Sequence, residues 1–213
     1  MSFRGDPLSV RLRAATRAAH DAAQRSGFLG ALAAGRLPFS AYADLTAQRW
    51  FIYEALELAA AAMADDPVAA QFVAPELHRV GAIEADLAFL YGRGWQHRIE
   101  ALPATTTYCT RLREAAFADA PGFIAHHYTR YLGDLSGGQY LGPAIARVYR
   151  LSADGQRFFV FDGVDPFEFK ARYRQMLDTL TWSRSQERVF LTEVDEAYRL
   201  NTGLLTELKE RWT

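Results

Sequence analysis

The segment from Gly122 to Tyr149 most constrains what this chain can fold into. It has the apolar periodicity of one long helix, yet it carries glycines at 133, 137, 138 and 142, followed by Pro143. A glycine in a helix interior costs about 1 kcal/mol relative to alanine, so three within Gly133 to Gly138 forfeit roughly 3 kcal/mol. A proline inside a helix adds a lost hydrogen bond and a steric clash. The segment is therefore expected to be bent or locally distorted. A loop, or a tight helix crossing through a small-residue face, would explain one such glycine. Gly133 and Gly137 lie one turn apart with Gly138 adjacent, and that spacing favours close approach of the backbone to a flat ligand.

Elsewhere the 3.6-residue period also dominates, with few β-branched runs and no Asn-Gly turn, so the chain reads as all-α. Helices are expected from about Ser9 to Gln24, from Pro38 (with Ser40 as N-cap) to about Ala64, from Pro67 to Tyr91, and from Thr105 to Phe117. After the glycine-bearing helix, Asp154-Gly155 and Asp162-Gly163 bracket Arg157 to Phe161, expected as a short extended piece or part of a turn. Helices over Asp165 to Thr181 and Ser185 to Trp212 complete the set. The last has Phe190, Val194, Ala197, Tyr198, Asn201, Leu205, Leu208 and Trp212 on one stripe. No repeat, low-complexity linker or domain boundary interrupts the pattern, so residues 1–213 are expected to form one domain.

Charge and cysteine usage narrow the function classes. With 24 basic and 25 acidic side chains the formal charge is −1, which excludes binding of nucleic acid by bulk electrostatics. Lys170 and Lys209 are the lysines; the other basic residues are arginines. The lone Cys109 excludes an internal disulfide and any multi-cysteine metal site, and fits a reducing compartment. Met1 to Asp6 lacks the apolar core of a secretory signal. The greasiest run, Ala55 to Ala64, is broken by Glu57 and falls short of the roughly 18 apolar residues a membrane span needs. A cytoplasmic protein without a membrane anchor is the expectation.

Leu135 to Gln139 spells LSGGQ, the signature of ABC-type ATPases. Such an enzyme also needs a phosphate loop ending Gly-Lys-Ser/Thr, and neither lysine here follows a glycine, so the match is coincidental. A second segment carries more chemistry. Arg13, Arg17, His20 and Gln24 share one helix face amid alanines that leave room beside the imidazole. A neutral imidazole can ligate iron, two guanidiniums suit the anionic groups of the same cofactor, and Gln24 could orient the ring.

The two segments together resemble the haem oxygenases. Leu12 to His20 is similar to that family's proximal pattern L-R-x-x-T-x-x-x-H, and Tyr128 to Gln139 matches its distal pattern Y-x-R-Y-L-G-D-L-S-G-G-Q. Tyr53, Phe169-Lys170, Tyr173-Arg174 and Asn201 follow in the same order and spacing.

The resemblance implies a multi-helical fold with haem between a proximal and a kinked distal helix, and cleavage of haem to biliverdin with release of ferrous iron and CO. Haem would be both substrate and cofactor, and O2 would be consumed. His20 would be the iron ligand. Gly133, Gly137 and Gly138 would let the distal backbone approach the ring. Asp134 would order water that relays a proton, with Arg130 and Tyr53 in the same polar network. A water relay suits Asp134 because a carboxyl is a poor direct donor at neutral pH unless its pKa is raised. Arg13, Arg17, Lys170 and Arg174 would pair with the propionates, helped by Tyr128, and by fixing ring rotation would select the carbon attacked. Tyr198 and Asn201 would touch haem from the last helix.

Some positions depart from the family's usual residues. Gln24 stands where many relatives have Glu, Arg13 and Arg17 where some have lysine, and Tyr198 where some have Phe. Gly142-Pro143 adds an interruption after the distal motif. No Rossmann or flavin motif is present, so electrons would come from outside: a ferredoxin, a flavodoxin or an NAD(P)H-dependent reductase. A monomer is expected.

Other ligand candidates rank lower. Cys109 reads as a small core residue. His126 and His127 point about 100° apart on a helix and cannot jointly face one metal. Two rivals remain: a non-catalytic haem carrier or sensor on the same fold, needing His20 and the clamp alone, and a TenA-like hydrolase, needing a catalytic thiol.

Overall fold

The computed structural model describes residues 5–25 and 27–213, with side chains described at 5–18 and 27–213. Among the described residues it is built from helices and short helical turns. They are α1 (Leu8–Arg25), α2 (Phe28–Ala33), α3 (Phe39–Ala62), α4 (Val80–Tyr91), α5 (Pro103–Ala115), α6 (Ala120–His127), α7 (Gly133–Tyr149), α8 (Pro166–Thr179) and α9 (Arg184–Trp212).

The central element is α3. Every residue from Ala41 to Arg49 is buried, as are Ile52, Tyr53, Ala55 and Leu56. A helix apolar on nearly all sides has to be surrounded, and α3 packs against α4, α5, α6 and α9. The long α9 lies across α1, α5 and α6. Its stripe forms as expected: Phe190, Val194, Ala197, Leu205 and Leu208 are buried, joined by Leu204. Ser183 starts α9 with a capping box, in which its hydroxyl accepts from the Gln186 N–H and the Gln186 side chain accepts from the Ser183 N–H.

α1 rests on α8 and α9 through its buried Leu8, Leu12 and Thr16. Ser9 donates from backbone and hydroxyl to Asp178 on α8, both at 2.8 Å, and Arg11 grips Glu187 on α9 with two bonds of 2.6 and 2.7 Å. These contacts fix the N-terminal half of the helix that carries position 20.

Several expected boundaries shift for local reasons. The α3 helix starts at Phe39 after Pro38, and Ser40 does not cap it. Residues 67–79 do not continue into α4: they form 3-10 turns at Ala69–Phe72 and Pro75–Leu77. There Asp66 accepts the backbone N–H groups of Val68 and Ala69, and Pro75 has no N–H to give a helix. The short α2 was not foreseen, because six residues cannot show a period. The segment Arg157–Phe159 is a 3-10 turn, not a strand, because Asp86 on α4 accepts the N–H groups of Arg157 and Phe158, each at 2.9 Å. Among the described residues no helix is long and apolar enough to cross a membrane.

The glycine-bearing segment forms one unbroken rod. Asp119 caps it by accepting the Gly122 N–H at 2.8 Å, and α6 passes through a π-helical turn at Tyr128–Leu132 into α7. The expected distortion is this π turn, placed immediately before the glycines. The expected interruption at Gly142-Pro143 does not occur: Pro143 sits inside α7.

Candidate functional site

The glycines of α7 divide into two pairs. Among the described residues, a Cβ added at Gly133 or Gly137 would meet nothing within 4 Å, and both residues are exposed. This part of the helix presents bare backbone to open space, as a flat ligand requires. Gly142 is different: a Cβ there would lie 2.9 Å from Phe159. Gly138 is buried with Phe159 at 3.5 Å from its Cβ position. The expectation that Gly138 faces the ligand is thus corrected. It faces Phe159 at ordinary contact distance, while the missing side chain of Gly142 makes room for the aromatic turn at Arg157–Phe159.

Asp134 lies between Gly133 and Leu135 at the edge of the open face. Tyr53, fully buried on α3, donates its hydroxyl to the Asp134 carboxylate. Burial pushes the Asp134 carboxyl up to about 7, and the positive charge of Arg49 counters part of that rise. A carboxyl titrating near neutrality can hold or release a proton under ordinary conditions.

Arg130 projects from the π turn into the same cluster. Its Nη1 donates to Asn201 Oδ1 on α9 at 2.8 Å, and its guanidinium lies 5.0 Å from the centroid of the Tyr53 ring. Its Nε is buried without a hydrogen-bond partner among the described residues. Tyr108 on α5 is fully buried beside it: burial raises the phenol to about 12, while the Arg130 charge pulls the other way. Tyr53, Arg130 and Asp134, expected in one polar network, lie together here; Asn201, expected only to touch haem, is bound by Arg130.

Two of the basic residues, Arg13 and Arg174, face Tyr128. Tyr128 is half-buried, and burial raises its pKa against the opposing charges of Arg174 on α8 and Arg13 on α1. Arg13, Arg17 and Arg174 are exposed. Lys170 Nζ donates to the Ser136 hydroxyl on α7 at 3.2 Å, so α8 reaches across to the glycine face. Tyr198 is half-buried on α9; burial raises its pKa, with Tyr128 and Tyr108 adding to the rise. His20 and Gln24 fall within α1, but their side chains lie outside the described residues.

The lower-ranked candidates are taken up elsewhere. Cys109 Sγ points to the Phe51 carbonyl at 3.4 Å, and burial drives its thiol up to about 11. His126 Nε2 lies 3.0 Å from Glu193, which also binds Arg111. His127 stacks on Tyr173 and meets its hydroxyl at 3.1 Å, while burial depresses the imidazole pKa to about 3.

Sequence reading missed Arg49, Tyr108, Ser136 and the Phe158–Phe159 pair. Arg49 had a signal: it is a charge inside the apolar run of α3, one turn before Tyr53 on the same face. The aromatic pair had none, because its placement depends on Asp86, 72 positions from Phe158.

The residues present fit haem. Bare backbone at Gly133 and Gly137 would accept a ring, and Arg13, Arg174, Lys170 and Tyr128 would accept carboxylates. Comparison with known proteins agrees. The family model described as "Heme oxygenase" matches residues 6–207. The chain is similar to heme oxygenase 1 of Synechocystis sp., 32% identical over 203 residues, covering 95% of this chain and 85% of that protein. Its structure is similar to that of heme oxygenase-1 from the same cyanobacterium in complex with heme, with a TM-score of 0.90, 33% identity, and coverage of 97% of this chain and 94% of that one. It is also similar to heme oxygenase from Leptospira interrogans, with a TM-score of 0.87 and 32% identity over 95% of this chain and 100% of that one.

Proposed function

The chain belongs to the haem oxygenase family, and from that premise we propose how its own residues carry out the cleavage of haem to biliverdin with release of ferrous iron and CO. The enzyme takes haem as both substrate and cofactor and consumes O2 and reducing equivalents. Bound haem supplies the iron at which O2 is activated and the porphyrin carbon that is attacked.

His20 on α1 is the residue that would hold the haem iron, and Gln24, four positions on, would steady its imidazole. Gly133 and Gly137 allow α7 to lie against the ring. Asp134 orders water above it and passes protons at its carboxylate, with Tyr53 fixing that carboxylate by a donated hydrogen bond. Arg130, held by Asn201, fixes Tyr53 from the other side. Arg13, Arg17, Lys170 and Arg174 clamp the propionates, Tyr128 adds a hydroxyl, and Tyr198 lines the pocket. The clamp sets ring rotation and thereby the biliverdin isomer.

The observation that carries this reading is the partly buried, near-neutral Asp134 beside glycines that open onto free space. A haem carrier or sensor has no use for that combination. Reconstituted with haem, O2 and an electron donor, the protein is expected to lose the Soret band and yield biliverdin and CO. A stable oxy-haem spectrum without biliverdin would place it with the carriers.

The reading extends to residues 1–213 as one haem oxygenase domain, a cytoplasmic monomer that receives electrons from a ferredoxin, a flavodoxin or an NAD(P)H-dependent reductase. The exposed cations Arg13, Arg17 and Arg174 support docking of an acidic donor near the haem edge. Turnover rates with each donor class, with their salt dependence, test this. Sedimentation at working concentration tests the monomer.

A further inference from the structure

We infer that Arg49 is a positioning residue for the distal carboxylate: a cation fixed beneath α7 that holds Asp134 in its charged form. The inference deepens the reading of Asp134 above and rests on it.

Arg49 is 6% exposed, at the end of the unbroken buried stretch of α3 that begins at Ala41. A guanidinium in such a place normally has a carboxylate partner. Arg49 has no ion pair among the described residues, and its Nη1 is buried without a hydrogen-bond partner. Two aromatic faces hold it instead: its guanidinium carbon lies 4.2 Å from the Phe158 centroid and 5.1 Å from that of Phe159. Such contacts keep a cation in a fixed place while leaving its field uncancelled.

The same rings define where that place is. Phe159 packs into the space left by Gly142 and against Gly138, two turns and one turn beyond Asp134 on α7. Phe158 touches the Tyr53 ring at 5.6 Å, and Tyr53 donates to Asp134. Arg49 precedes Tyr53 by one turn on α3, so both side chains approach Asp134 from the same helix face. The turn that presents the two rings is itself pinned by Asp86 through the N–H groups of Arg157 and Phe158.

The charges around the pair are few. Asp134 faces Tyr53 and Arg49 from α3. Arg49 faces Asp134 from α7, opposed by Arg130 from the π turn and assisted by Tyr42 on α3 and Asp86 on α4. Burial lowers the Arg49 pKa to about 10, so the group stays charged across the range in which Asp134 titrates. Without that cation, burial alone would keep Asp134 protonated to higher pH and remove an acceptor from the water chain.

The test is the pH midpoint of Asp134 protonation in haem-free protein, read from the infrared carboxylic C=O band that disappears in Asp134→Asn. Removing a nearby opposite charge is expected to move that midpoint upward by about 1–3 units in Arg49→Met. Arg49→Gln repeats the experiment with a polar neutral side chain, in case the Met variant does not fold. The acid limb of haem turnover should move with the midpoint, a change that a purely structural arginine would not cause. An unchanged or lowered midpoint in a folded variant overturns the inference. Because the midpoint is measured without haem, that outcome leaves the role of Asp134 standing. Normal biliverdin yield from Asp134→Asn would instead remove that role while leaving the electrostatic pairing intact.

Discussion

Tyr53 donates its hydroxyl to the carboxylate of Asp134, joining α3 to α7 across 81 positions of sequence. One partner is fully buried and the other stands at the edge of the open glycine face, so the bond carries the order of the core out to that face.

Losing that bond is expected to matter more for turnover than for folding. Tyr53→Phe keeps the ring and its contacts with Tyr131 and Phe158. A hydrogen bond to a charged group contributes about 1.5–3 kcal/mol, so kcat for biliverdin formation should fall by roughly 10-fold or more. Steady-state turnover alongside a melting curve checks this; equal turnover in both proteins refutes it.

Asp134 should also leave a mark on stability. Its folded pKa is raised to about 7, so between about pH 4 and 7 the folded chain binds more protons than the unfolded one and stability falls as pH rises. The benefit of burying the neutral acid is complete at the low end of that window and gone above it. Asp134→Asn should therefore melt higher than the parent near pH 8, with the gap closing near pH 4. A gap that widens on acidification would contradict the assignment. In turnover the same variant should consume haem without the normal yield of biliverdin.

The two glycine pairs predict opposite outcomes for one type of substitution. Gly137→Ala adds a methyl that meets nothing within 4 Å among the described residues and gains helix propensity, so stability should rise by up to about 1 kcal/mol while haem affinity or turnover drops. Gly142→Ala forces a methyl against Phe159 and should destabilise by about 1–3 kcal/mol. Denaturant melts and haem titrations on both variants distinguish a ligand-facing glycine from a packing one.

The clamp predicts a change of product rather than of rate. Lys170→Ala loses the bond to Ser136 and Arg174→Ala loses the charge facing Tyr128. In the double variant the ring should rotate, and chromatography should find a mixture of biliverdin isomers. A single unchanged isomer would assign orientation to other residues.

At the proximal side, His20→Ala should abolish the iron–His stretch in resonance Raman spectra while haem still binds weakly. An unchanged stretch would move the ligand to another residue.

Much of the site was legible before any coordinates. Helical period placed nearly every long element, because burying one face of a helix leaves a regular trace. The distal motif located Asp134, Arg130 and the glycines, because a residue absent from a helix is as visible as one present. Gly138 shows where that reasoning stopped: beside Gly137 in the chain, it points about 100° away and meets Phe159. The segment before α4 shows another limit, since Asp66 and Pro75 end helices by local chemistry that a periodic pattern passes over.

Residue pattern along the chain was enough for the fold class, the all-helical layout and the types of group the chemistry needs. Only tertiary packing sets Arg49 against the rings of Phe158 and Phe159, brings Phe159 up against Gly142, and makes the distortion a π turn and not a break. The reason is physical. Periodicity and motifs are properties of neighbours along the chain, whereas a buried cation, a raised carboxyl pKa and a filled gap arise from groups that meet only when distant helices pack.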